Sequence, residues 1–268
     1  MNSRSSEDTL CSANYYSREQ NRRYFSVSQW KSFERCEAAT MAELNGLYER
    51  EETTALKIGS YVDAFFEGTL QEFTDWHPEI FNKRTGELKA DYQHADKMVG
   101  RILQSPLMCE FLRGDKQTIM TAELFGYPWK IKMDVYNGER IVDLKTVRDF
   151  KPLYDPLYGA KRGWIEYWGY DLQGAIYQKV EQLATGRAEP LPFYIAAVTK
   201  EAVPDIALIQ IPQYILDAAI KAHGVEALID RYALIKSGDV EPGRCEECDW
   251  CKMTKVITEP AVYEMEEE

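Results

Sequence analysis

The amino-acid sequence predicts one α/β domain whose mixed β-sheet is flanked by helices. Three observations carry that expectation: helical periodicity up to residue 112, three alternating β-runs from about Gln117, and a closing helix–strand–strand–helix order. A chain of 268 residues has the length for one large domain, and 45% apolar with 12% aromatic content is enough to fill its core.

Residues 1–20 are polar and read as a flexible leader, residues 21–255 as a single domain, and residues 256–268 as an acidic tail. The leader lacks the apolar stretch of a secretory signal, and no apolar run is long enough to span a bilayer. No membrane association and a cytoplasmic location are therefore expected. Ser28 is placed to cap a helix running to about Leu44, with Trp30 and Phe33 on its buried stripe. Residues 54–68 predict a second helix, since Ile58, Val62, Phe65 and Phe66 recur at helical spacing and Gly68 can end it. Residues 71–90 contain Pro78 and Gly86 and read as loop. Residues 91–112 return to helix, with a break at Ser105-Pro106.

The β-runs cover residues 117–125, 129–136 and 139–147, separated by Gly126-Tyr127-Pro128 and Asn137-Gly138. Asn-Gly between alternating segments is a strong hairpin signal, because both central residues of the favoured turn need positive φ. Residues 148–163 form a loop carrying Phe150, Tyr154 and Tyr158. Its Arg148, Lys151, Lys161 and Arg162 suit phosphate contacts and simple solvation equally. Residues 164–185 predict a long helix, 192–198 and 205–211 two strands, and 214–236 a last helix.

A two-residue turn at Asn137-Gly138 pairs Asp134 with Ile141 and Lys132 with Asp143. Side chains alternate along a strand, so Lys130, Lys132, Asp134, Asp143 and Lys145 share one face. The apolar Ile131, Met133, Val135, Val142 and Leu144 share the other, which is core. Charges on the inner part of a sheet either pair across strands or serve a ligand. Two carboxylates suit a hard divalent cation, and an ammonium two residues from one of them can serve a water or hold a phosphate oxygen.

The net charge of −12, from 32 basic and 44 acidic residues, argues against a nonspecific nucleic-acid coat protein. It leaves room for an enzyme with a local basic groove. Among six cysteines, Cys245, Cys248 and Cys251 form a CxxCxxC, which reads either as metal or cluster ligation in a reducing compartment or as free thiols in a tail. His77, His94 and His223 are scattered without partners at ligand spacing, and structural roles are expected.

At the hairpin the sequence resembles a known family. Asp134 followed by Asp143-Leu144-Lys145, within KMDVYNGERIVDLKT, is similar to the D…(D/E)xK signature of the PD-(D/E)xK nuclease superfamily, in its RecB/RecE-like exodeoxyribonuclease branch with phage-borne members. Gln173-Gly174-Ala175-Ile176-Tyr177 resembles that branch's QxxxY motif. Gly59-Ser60-Tyr61-Val62-Asp63 stands where the branch carries GxxxH, with Asp63 in place of the ligating histidine. Cys36 with the three late cysteines resembles the cluster ligands of some relatives. The resemblance covers residues 24–251.

It implies a restriction-endonuclease-like core and a Mg- or Mn-dependent DNA exonuclease of phage-type recombination or repair. By the same resemblance, Asp63, Asp134, Asp143 and the Leu144 carbonyl hold one or two ions, Lys145 is catalytic, and Gln173 and Tyr177 position the substrate. The four cysteines hold an iron–sulfur cluster by that resemblance, and four thiolates also suit structural zinc. The implied partners are DNA, further copies of the chain and a single-strand annealing protein. Glu123 is a weaker candidate, since a tight turn at Gly126-Tyr127 sets it opposite Lys130, where a salt bridge is expected. The alternative left open is a catalytically inactive nucleic-acid-binding or assembly protein on the same fold, with a structural metal at the cysteines.

Overall fold

Strands β1 (Asp115–Leu124), β2 (Tyr127–Tyr136), β3 (Ile141–Val147), β6 (Phe193–Thr199) and β7 (Ile206–Gln210) build the central sheet, in the order β1-β2-β3-β6-β7. The computed structural model describes residues 9–156 and 159–260. All neighbouring pairs are antiparallel except β3 and β6, which run parallel, so the sheet is mixed as expected. The parallel step needs a crossover. It is made by a small hairpin, β4 (Leu153–Asp155) with β5 (Ala160–Arg162), then α8 (Trp164–Tyr167) and α9 (Tyr170–Thr185).

Alternation along the strands sends apolar side chains to two separate cores. Ile141, Phe193 and Ile195 meet Leu172, Ile176 and Val180 of α9 and Leu216 of α10 (Gln213–Ala222). Val142, Leu144, Ala196 and Val198 meet Val62 of α4 (Thr54–Glu67) and Met98 and Ile102 of α6 (Ala90–Leu103). Because both faces of β3 and β6 are covered, these strands read as near-continuous apolar runs. Helices α11 (Val225–Ser237) and α12 (Asp249–Met253) close the chain, and α7 (Pro106–Phe111) follows the predicted break. Among the described residues, no helix is long and apolar enough to cross a membrane.

Several expectations are corrected. The β2–β3 register pairs Val135 with Val142 and Tyr136 with Ile141, not Tyr136 with Glu139. The turn spans four residues because the Asn137 side chain accepts from the N–H groups of both Glu139 and Arg140 at 3.0 Å. In the first hairpin Phe125 and Gly126 adopt φ of 55° and 78°, so Leu124 pairs with Tyr127 and Glu123 lies opposite Pro128. Glu123 is exposed there, and the salt bridge with Lys130 does not form.

The helix expected over 28–44 is two, α2 (Val27–Arg35) and α3 (Glu37–Asn45). Ser26 caps the first, and extended backbone at Cys36 separates them. Left-handed glycines likewise split the two late helices, at Gly169 (φ 62°) and Gly224 (φ 59°). The supposed loop 71–90 holds α5 (Leu70–Trp76) and a 3₁₀ turn at Pro78–Ile80.

The segment expected as a leader is not set apart from the domain. Tyr15 is buried, α1 (Arg18–Arg23) starts behind a Ser17 cap, and the Lys130 ammonium donates to the Tyr15 carbonyl. Tyr158 and residues 261–268 of the acidic tail lie outside the described residues.

Candidate active site

Beyond Val135 the β2–β3 ladder gives way, and a side chain takes over its role. The Asp134 carboxylate accepts the Leu144 N–H at 2.9 Å through one oxygen and the Gln117 amide at 3.2 Å through the other. Gln117 has φ 52°, an uncommon conformation for a residue other than glycine, and strain of this kind gathers at functional sites. The N–H and C=O of a strand residue point to the same edge, so the Leu144 carbonyl also faces β2.

Asp143 is 1% exposed, at the centre of β3. One of its oxygens accepts from Gln173 Nε2 at 2.7 Å, and the other is ion-paired with the Lys145 ammonium. Burial pushes its carboxyl up to about 7, against the pull of Lys145 and with the push of Asp134. Burial also disfavours the Lys145 ammonium, but Asp143 and Asp134 outweigh it and hold that group above its ordinary value. Asp63, on α4, is raised well above the carboxylate range, first by burial and then by Asp134.

Asp63, Asp134, Asp143, Lys145, Gln173 and Tyr177 all line one cavity of about 660 Å³. The sequence therefore names six residues that the fold does bring together. Gln173 and Tyr177 both point into the site, Gln173 donating to Asp143 at 2.7 Å and the Tyr177 hydroxyl donating to the Lys132 carbonyl at 3.0 Å.

Glu123 does not line this cavity. Glu67 does, one turn beyond Asp63 on α4, with its carboxyl raised by burial. Lys31 of α2 also lines it. Burial, reinforced by the Lys145 charge, lowers Lys31 to about 8, and its ammonium donates to the Trp168 carbonyl at 3.1 Å. Glu67, Lys31, Gln117 and Tyr15 escaped the sequence reading. Only Glu67 carried a usable signal, its four-residue spacing from Asp63.

The cysteines form a second centre. Cys36 Sγ lies 3.6 Å from Cys251 Sγ, Cys245 Sγ lies 3.9 Å from Cys251 Sγ, and all four sulfurs, Cys248 included, fall within 4.8 Å of one another. No other group of three or more His, Cys, Asp or Glu ligand atoms meets that spacing among the described residues, the cavity aspartates included. His223 is structural as expected, 2.8 Å from Glu34 and 3.6 Å from Asp171.

The family model described as "PDDEXK-like domain of unknown function (DUF3799)" matches residues 26–254. No curated protein matches the chain. Among solved structures, the chain is similar to a crystal structure from Eubacterium rectale described as a "putative exonuclease". The identity is 42%, the TM-score 0.88, and the match covers 95% of this chain and 96% of that one. With the signature residues Asp134, Asp143 and Lys145 converging inside the matched span, the chain belongs to this PDDEXK-like family, within the PD-(D/E)xK nuclease superfamily.

Proposed function

We propose that the chain is a divalent-metal-dependent deoxyribonuclease that removes nucleotides from DNA ends. The observation that carries the reading is the convergence of Asp134, Asp143 and Lys145 in one cavity, with Asp63 facing them from α4. The donor set fits Mg²⁺ or Mn²⁺, because it offers hard carboxylate oxygens, with Asp63 and Asp143 held above the ordinary carboxylate range by burial and by the neighbouring Asp134 charge. Asp63, Asp134, Asp143 and the Leu144 carbonyl would hold one or two ions. When bound, these supply charge neutralisation at the phosphate and a more acidic water.

The chain's own groups do the rest. Lys145, kept protonated by its two carboxylate neighbours, donates to a nonbridging phosphate oxygen and orients the attacking water. Gln173 fixes the orientation of Asp143, and Tyr177 anchors β2 beneath Lys132. Similarity to the Eubacterium rectale protein supports action from ends. The RecE-like hairpin motif supports a place in phage-type recombination or repair, with further copies of the chain and an annealing protein as partners.

At the cysteines we read a single tetrahedral ion, zinc by its thiolate preference. A Zn–S bond of about 2.3 Å sets sulfurs roughly 3.8 Å apart, close to the 3.6 and 3.9 Å separations found. Thiolates that each ligate a different iron of a cluster stand farther apart than these.

The test is purified protein with Mg²⁺ on end-labelled linear DNA and on closed circular DNA, each repeated with EDTA. Loss of the linear form alone, abolished by EDTA, is the expected result. Intact linear DNA at every Mg²⁺ concentration would overturn the reading in favour of a binding protein.

A further inference from the structure

Two large aromatic rings at the cavity that holds Asp134, Asp143 and Lys145 have no packing role that explains their position. Tyr16 is 68% exposed and Trp76 is 80% exposed, yet both line that cavity. Neither belongs to an apolar core. Tyr16 is held in place from behind, by Tyr15 edge-on at 5.0 Å and by the Lys132 ammonium 4.6 Å from its ring centre. Trp76 is the last residue of α5, a helix fixed through Phe73, whose ring lies 5.8 Å from Tyr61. The Tyr16 ring is thus supported by its neighbours, and the Trp76 ring stands open at the end of a packed helix.

Two cations lie beside them, Lys31 donating to the Trp168 carbonyl and Lys132 resting against the Tyr15 and Tyr16 rings. Among the described residues, neither Lys31 nor Lys132 is in an ion pair, although both line the same cavity. Exposed aromatic rings beside ammonium groups that no carboxylate neutralises match the chemistry of an unpaired nucleic-acid strand, which offers base faces and phosphates in alternation. A duplex does not offer this, since its bases are stacked on one another and only a terminal pair exposes a face. Two separate rings can be used together only by a strand whose bases have been splayed out of the helix.

Resting on the nuclease reading above, we propose that the substrate enters this cavity as an unpaired DNA strand, with bases stacked on Tyr16 and Trp76 and phosphates met by Lys31 and Lys132. The two rings select single-stranded DNA or a frayed end over closed duplex.

The experiment measures fluorescence anisotropy of three labelled probes of equal length, with Ca²⁺ in place of Mg²⁺: oligothymidylate, an abasic strand and a blunt duplex. The wild-type chain is expected to bind oligothymidylate at least about tenfold more tightly than either other probe, at the scale of stacking on one ring. Tyr16→Ala and Trp76→Ala should each weaken oligothymidylate binding by roughly 5- to 150-fold. Both should leave abasic-strand binding unchanged, which also reports that the variants are folded, and Trp76→Phe should recover most of the loss. Alanine variants that bind oligothymidylate within about twofold of wild type, or a wild type indifferent to the missing bases, would overturn the stacking proposal. Cleavage of linear DNA by the same wild-type preparation would then leave the nuclease reading standing. A wild type that neither binds nor cleaves any probe overturns both.

Discussion

Asp143 shares a fully enclosed carboxylate between the Gln173 amide and the Lys145 ammonium, and that arrangement makes each partner's removal informative. Lys145→Ala removes the cation while leaving the anion buried, and a lone buried charge is costly enough that Asp143 takes up a proton instead. Cleavage by this variant should fall by roughly 10²- to 10⁴-fold in single-turnover assays, with the far-ultraviolet circular dichroism of the wild type retained. Cleavage at the wild-type rate would remove Lys145 from the chemistry. At this scale the sequence was informative wherever strand parity was enough. The true β2–β3 register differs from the expected one by two residues, and an even slip leaves Asp134, Asp143 and Lys145 on the same face. Glu123 failed because its role required a particular partner across the turn, and the same kind of slip put Pro128 there. Gln117 could not be read at all, since nothing in a glutamine announces a positive φ.

Helix α9 shows how an element delivers a functional residue. Gln173 points at Asp143, and the next residue, Gly174, lies where a Cβ would stand 2.6 Å from Phe193 Cδ1 and 2.8 Å from Leu216 Cδ2. Alanine in a helix interior normally gains up to about 1 kcal/mol over glycine. Here both neighbours are buried and cannot retreat, so overpacking of about 1–3 kcal/mol decides the sign. Gly174→Ala should therefore lower the urea midpoint, and cleavage should fall with it as Gln173 is levered off Asp143. A variant more stable than wild type would refute the close approach. The motif containing Gly174 was visible in the sequence, but its reason was not, because Phe193 and Leu216 come from distant segments. Element boundaries suffered in the same way. The kink at Cys36 carries no proline or glycine, and α5 is too short to impose a periodicity on residues 71–90.

Across the whole molecule the cysteine centre joins α3 to α12, bringing together residues 215 apart in the chain. Closing a loop of that length restricts the unfolded chain by about 5 kcal/mol in the chain-entropy picture, or roughly 10–20 °C in melting temperature for a chain of this size. Elemental analysis should find one zinc per chain and no iron. Stripping the metal with a strong chelator should lower the melting temperature by that order, and Cys251→Ser should reproduce the loss. Iron with visible charge-transfer absorption would overturn the single-ion reading. The global architecture was the most legible level, because the mixed sheet followed from the order of apolar patterns. The N-terminal segment was the exception, since its polar composition conceals that Tyr15 is wedged against Lys130.

The parallel pairing of β3 with β6 has a kinetic consequence. Strands β1, β2 and β3 are consecutive neighbours joined by tight turns, a local arrangement expected to assemble early, whereas pairing of β6 requires closing the long loop that contains the crossover. That crossover contains α9, so Gln173 meets Asp143 in the same event that adds the fourth strand. A nascent or half-refolded chain can hold both aspartates of the hairpin on one ribbon and still lack the wall that orients them. Competence arrives with closure of the sheet, not with formation of the hairpin.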